Sequence, residues 1–104
     1  MPVTRRCREK FNAALYRLAV GEEDVRQRLR GAYRYLRMLS QEEIPVDLRA
    51  EWRSIQEAMT RRGPDMAADG TVYKNALDNT LIHMRNVTGR RIAERIYALA
   101  RAID

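Results

Sequence analysis

The sequence has 104 residues, of which 45% are hydrophobic and 33% are charged, and its formal net charge is +6. This length suits one domain, predicted over residues 1–104, and the hydrophobic content favours a folded core over a disordered chain. The longest apolar run, residues 96–100, is too short to cross a bilayer, so the composition argues against a membrane partner.

The charge is distributed unevenly along the chain. Residues 1–40 carry a net +6, residues 41–70 a net −3 and residues 71–104 a net +3. Such asymmetry predicts either an anionic partner or a basic half that folds onto an acidic half. Eighteen of the basic residues are arginines, which suit phosphate or carboxylate recognition, although an arginine-rich proteome produces the same bias without a function.

Hydrophobic periodicity predicts an all-α fold of four helices, over about residues 4–20, 22–39, 47–62 and 71–103. Thr4 is the predicted N-cap of the first helix, and Gly21 ends it. Because so few residues separate the first two helices, we expect them to form an antiparallel hairpin.

The third helix is predicted to begin at Asp47 and to end before Gly63, with Trp52 at the centre of its apolar face. Residues 63–70 are predicted to form a loop, and no segment shows the alternation typical of a strand.

The last predicted helix, over residues 71–103, is nearly twice as long as the others. Its apolar spacing is interrupted between Met84 and Ile92, and Thr88 and Gly89 lie within this interruption. Because glycine disfavours a helix interior, we predict a kink or break near Thr88-Gly89. The predicted architecture is an up-down four-helix bundle with a long, kinked or broken last helix.

One face of the second helix is basic and lies well clear of its apolar seam. It carries four arginines, which are Arg26, Arg30, Arg34 and Arg37. This arginine face is a candidate site for an anionic partner, since guanidinium groups bind phosphates and carboxylates.

An alternative is that acidic residues of the same chain neutralise the arginine face. Three carboxylates near the start of the third helix recur at helical spacing, and these are Glu43, Asp47 and Glu51. In an antiparallel bundle they are expected close to Arg34 and Arg37. The sequence therefore leaves three interpretations open: a solvated or internally paired face, a nucleic-acid site, and a site for an acidic protein.

The end of the last helix carries an apolar stripe formed by Ile92, Ile96, Leu99 and Ile103. The shorter first three helices would cover only about half of a continuous last helix. An uncovered apolar stripe predicts self-association as a homodimer, and a last segment that folds back on the chain is the alternative.

Residues that carry chemistry are scarce. His83 is the only histidine and Cys7 the only cysteine, and neither has neighbours at metal-ligand or catalytic spacing. We therefore predict a small, non-enzymatic, cytoplasmic interaction or regulatory module that needs no cofactor or small-molecule substrate. Its expected partner is an unidentified protein or a second copy of itself, and nucleic acid bound by the arginine face is the alternative function.

Overall fold

The structure is a computed structural model that describes residues 3–103, so three residues of the predicted 1–104 domain lie outside the described residues. Within this range the chain is mostly helical. The helices are α1 (Arg5–Val20), α2 (Val25–Leu36), α3 (Arg49–Met59), α4 (Ala76–His83) and α5 (Asn86–Ile103). The described chain also contains two short 3-10 turns, Gln41–Glu43 and Val46–Leu48, and two strands, β1 (Asp65–Met66) and β2 (Val72–Lys74).

Helices α1 and α2 pack along each other as the predicted hairpin. The Thr4 hydroxyl accepts a hydrogen bond from the Cys7 N–H at 3.1 Å, and α1 ends at Gly21, which confirms both predicted boundaries. Asp24 caps α2 by accepting from the Gln27 N–H at 3.1 Å. A capped start satisfies backbone donors that a helix leaves without a partner in its first turn.

The core lies where α5 packs against α1, α2 and α3. Trp52 of α3 is 2% exposed, and its ring lies 6.1 Å from that of Phe11 on α1, tilted by 58°. This tilted contact is a favourable aromatic geometry. The third helix, however, begins at Arg49, and Asp47 lies in the preceding 3-10 turn, so the prediction that this helix begins at Asp47 was wrong.

The last segment differs most from the prediction. Residues 71–103 contain β2, α4 and α5, and the chain breaks at Met84, whose extended backbone separates the two helices. The predicted break near Thr88-Gly89 was wrong, because both residues lie inside α5. A Cβ atom on Gly89 would lie only 3.0 Å from a methyl group of Val25, so this glycine allows α5 to approach α2 closely.

The predicted loop at residues 63–70 is part of a small antiparallel hairpin, so the prediction of a chain without strands was also wrong. Asp65 pairs with Lys74 and Met66 with Val72 across β1 and β2. Gly70, at φ 88°, supplies the left-handed backbone that the turn requires. Strands this short give too little alternation to be recognised in a sequence.

No helix in the described range, residues 3–103, is both long enough and apolar enough to cross a membrane.

Candidate anion-binding surfaces

The structure divides the predicted arginine face of α2 into two halves. In the first half, Arg26 forms an ion pair with Asp24 at 2.9 Å, and a hydrogen bond from its guanidinium lowers the pKa of that carboxyl. The same guanidinium donates to the Met84 carbonyl at 3.3 Å. Arg30 forms an ion pair with Asp78 of α4. These two arginines therefore connect α2 to its own start and to α4.

The second half of the arginine face is exposed. Among the described residues, the side chains of Arg34 and Arg37 have no ion pair and no hydrogen-bond acceptor. The face is therefore not one continuous anion-binding surface, although its C-terminal end remains open to a partner.

None of the three carboxylates that were expected to neutralise Arg34 and Arg37 pairs with them: two pair with other residues and one has no ion pair among the described residues. Glu43 pairs with Arg6 of α1 at 3.0 Å. Glu51 pairs with Arg95 of α5, with contacts of 2.6 and 3.2 Å, and this hydrogen bonding lowers the pKa of the Glu51 carboxyl. Asp47 is exposed and has no ion pair within residues 3–103. The predicted internal pairing does not form in this structure.

The apolar stripe predicted for self-association is part of the core. Its four residues, Ile92, Ile96, Leu99 and Ile103, are each 5% exposed or less. The prediction assumed a continuous last helix that overhangs its neighbours. Because the chain breaks at Met84, α5 is short enough to be covered by α1, α2 and α3, so the stripe is not available to a second copy.

A feature that the sequence did not reveal is a groove between α3, α4 and the start of α5. We call it the arginine groove; its volume is about 470 Å³. Its apolar lining includes Ala58, Met84 and Ile92. Its basic lining consists of five arginines, which are Arg61, Arg62, Arg85, Arg91 and Arg95.

Most of the positive charge in the arginine groove has no internal counterpart. Arg95 is held by Glu51 and by the Ser54 hydroxyl at 2.7 Å. The other four guanidinium groups have no ion pair and no hydrogen-bond acceptor in the part of the chain that the structure describes. No carboxylate lines the groove among the described residues. Glu57 lines a neighbouring cavity instead.

His83 and Thr80 add polar groups to the same groove. The His83 Nδ1 atom lies 2.9 Å from the Asn79 carbonyl oxygen. Because a carbonyl oxygen only accepts hydrogen bonds, Nδ1 is the donor and this contact fixes the orientation of the ring. The Thr80 hydroxyl accepts from the Arg62 N–H at 3.0 Å, which holds the turn that follows α3 against α4.

Sequence reasoning missed the groove because its arginines come from distant parts of the chain. Arg61-Arg62 and Arg90-Arg91 each look like an isolated pair in the sequence. The structure brings the first pair together with Arg91, while Arg90 faces a different cavity beside Asp24. One signal was available in the sequence. Arg91 and Arg95 share a face of α5 because they are four residues apart, and this face lies beside the buried Ile92.

The remaining candidate groups do not converge. Cys7 is buried, and burial raises the pKa of its thiol. Within residues 3–103, no group of three or more histidine, cysteine or acidic side chains is arranged to hold a metal ion. Comparison of the chain with protein-family models, curated proteins and solved structures finds no match.

Proposed function

We propose that this chain is a small, non-enzymatic, cytoplasmic interaction module, built as an up-down helical bundle, and that its partner is an acidic protein. The observation that carries the proposal is the number of arginines without an acceptor. Across the described residues nine of the eighteen arginines have neither an ion pair nor a side-chain hydrogen bond, and these are Arg8, Arg17, Arg34, Arg37, Arg61, Arg62, Arg85, Arg90 and Arg91.

The distribution of these arginines supports a specific surface over a uniformly basic one. Four of the nine line a single groove that contains apolar side chains as well. Protein interfaces combine a buried apolar centre with a polar rim, and arginine is enriched in them. Charge complementarity across such a surface speeds association and selects the partner.

Nucleic acid is the second candidate partner, supported by Arg34 and Arg37 at the end of α2. Both are exposed, and two of the three carboxylates expected to neutralise them pair with Arg6 and Arg95 instead. Tyr35, which lies between them in sequence, is partly buried beneath Lys10, whose ammonium lies 6.0 Å from its ring centre. Burial and the ammonium over one face leave less of this ring open to a base, which favours the protein partner.

Selection from a random peptide display library at physiological salt tests the proposal. We expect the selected peptides to be enriched in Asp and Glu. In parallel, labelled duplex and single-stranded DNA should bind weakly, with an affinity that falls steeply with salt and is lost at physiological ionic strength.

Tight DNA binding at physiological salt, together with a library that yields no acidic peptides, would contradict the proposal. The partner would then be nucleic acid and not an acidic protein. In that case an Arg34→Glu, Arg37→Glu variant should lose the DNA binding if α2 provides the site.

A further inference from the structure

We infer that the arginine groove is the binding site for an acidic amphipathic helix of a partner protein. In this arrangement, aliphatic side chains of the partner contact Ala58 and the aliphatic stems of the arginines, above the buried Met84 and Ile92. Carboxylates of the partner bind Arg62, Arg85 and Arg91 at the rim. This inference rests on the proposed function and names the site and the chemical class of its ligand.

The lining of the groove distinguishes this ligand from nucleic acid. None of its described lining residues is Phe, Tyr or Trp. Single-stranded nucleic acids are held by aromatic rings on which their bases stack. A groove whose open aliphatic area comes from Ala58 and arginine stems, with the guanidinium groups at its edge, instead matches a helix that has one narrow leucine face and carboxylates beside it.

The charge of the groove determines which helix fits. Four arginines there have no acceptor among residues 3–103, whereas Arg95 is already neutralised by Glu51. A partner carboxylate can therefore bind the four without displacing an internal ion pair. Bidentate arginine–carboxylate pairs are among the stronger charge-assisted hydrogen bonds, particularly where an apolar contact beside them excludes water.

Adjacent arginines on α5 provide a matched test. Arg91 lines the groove, whereas Arg90 lines a separate cavity with Asp24 and Ala93. Both side chains are exposed and lie in the same helix, so Arg91→Glu and Arg90→Glu change the net charge equally. Because Arg90→Glu places a carboxylate in the cavity that Asp24 lines, a urea melt of each variant accompanies the binding measurement and checks that both are folded. Only the position of the altered charge relative to the groove differs between the two variants.

The probe is a synthetic helical peptide of about 15 residues with leucine at helical spacing on one face and glutamate on the others. A peptide of the same composition in scrambled order is the control. We expect the amphipathic peptide to bind the intact protein more tightly than the scrambled one. Arg91→Glu should weaken binding about tenfold, whereas Arg90→Glu should change it by less than about twofold.

Several results would overturn the inference. Equal losses in the two variants would mean that only net charge matters, and no binding of the amphipathic peptide would exclude this ligand class. If acidic peptides selected from a library bind but ignore Arg91→Glu, the proposed function survives and the groove is not its site. If DNA binding at physiological salt is lost in Arg91→Glu but kept in Arg90→Glu, the groove binds nucleic acid and both proposals fail.

Discussion

Replacing Trp52 by alanine should remove a large part of the stability of this protein. The indole is 2% exposed and packs against Phe11, so the substitution deletes the contact between α3 and α1. A buried tryptophan removes about 150–250 Å² from water, and at about 25 cal/mol per Å² this amounts to roughly 4–6 kcal/mol. Measured losses for large aromatic residues are about 3–5 kcal/mol, and a domain of this size has about 5–15 kcal/mol in total.

Urea denaturation followed by far-UV circular dichroism measures this loss without depending on the indole fluorescence. Tyr97→Ala is a suitable control, because Tyr97 also belongs to a helix but is 53% exposed. We expect the control to change the free energy of unfolding by less than about 0.5 kcal/mol. If Trp52→Ala costs less than about 1 kcal/mol, Trp52 is not part of the core and the packing of α3 described above is incorrect.

Three further substitutions and treatments test separate parts of the structure. Gly89→Leu should destabilise the fold by about 1–3 kcal/mol in urea melts, because the side chain would collide with Val25 of α2; a tolerated leucine would mean that α5 does not approach α2 closely at this position. Glu51→Gln should lower stability slightly at neutral pH. Because a hydrogen bond from Arg95 lowers the folded-state pKa of Glu51, the difference from wild type should be fully present above the ordinary pKa of a glutamate and should be lost as the pH falls through the lowered folded-state pKa; a difference that grows on acidification would contradict this. Cys7 should react with a thiol reagent only on unfolding, since burial raises its pKa; rapid reaction in the native protein would place it at the surface.

The helical character and the α1–α2 hairpin were predictable because they depend on local signals. Thr4, Gly21 and the apolar residues of α1 and α2 specify boundaries and faces through interactions within a few residues. Trp52 was likewise predictable as a core residue from its position in a helical seam.

The end of the chain was not predictable in the same way, because tertiary contacts override the local signal. Gly89 reads as a helix breaker on intrinsic propensity, yet it is buried in α5 where the helix approaches Val25 of α2. Met84 carries no breaking signal in the sequence, but its backbone is extended and α4 ends there. This single difference moved Ile96 and its neighbours from a predicted dimer surface into the core.

Which acidic residue pairs with which arginine could also not be predicted from the sequence. Helical spacing identified Glu43 and Glu51 as available acids, but the choice of partner depends on how the helices approach each other. They pair with Arg6 and Arg95 instead of the α2 arginines. That choice leaves Arg34 exposed and determines which arginines a partner can bind.

The most direct test of whether the arginine groove binds an acidic helix is a map of amide chemical shifts in the protein during titration with the amphipathic acidic peptide. We expect saturable shifts concentrated around the arginine groove, at Ala58, Thr80, His83 and Thr88, with little change at the end of α2. Shifts concentrated at Arg34 and Arg37, or spread evenly over all exposed arginines, would contradict it.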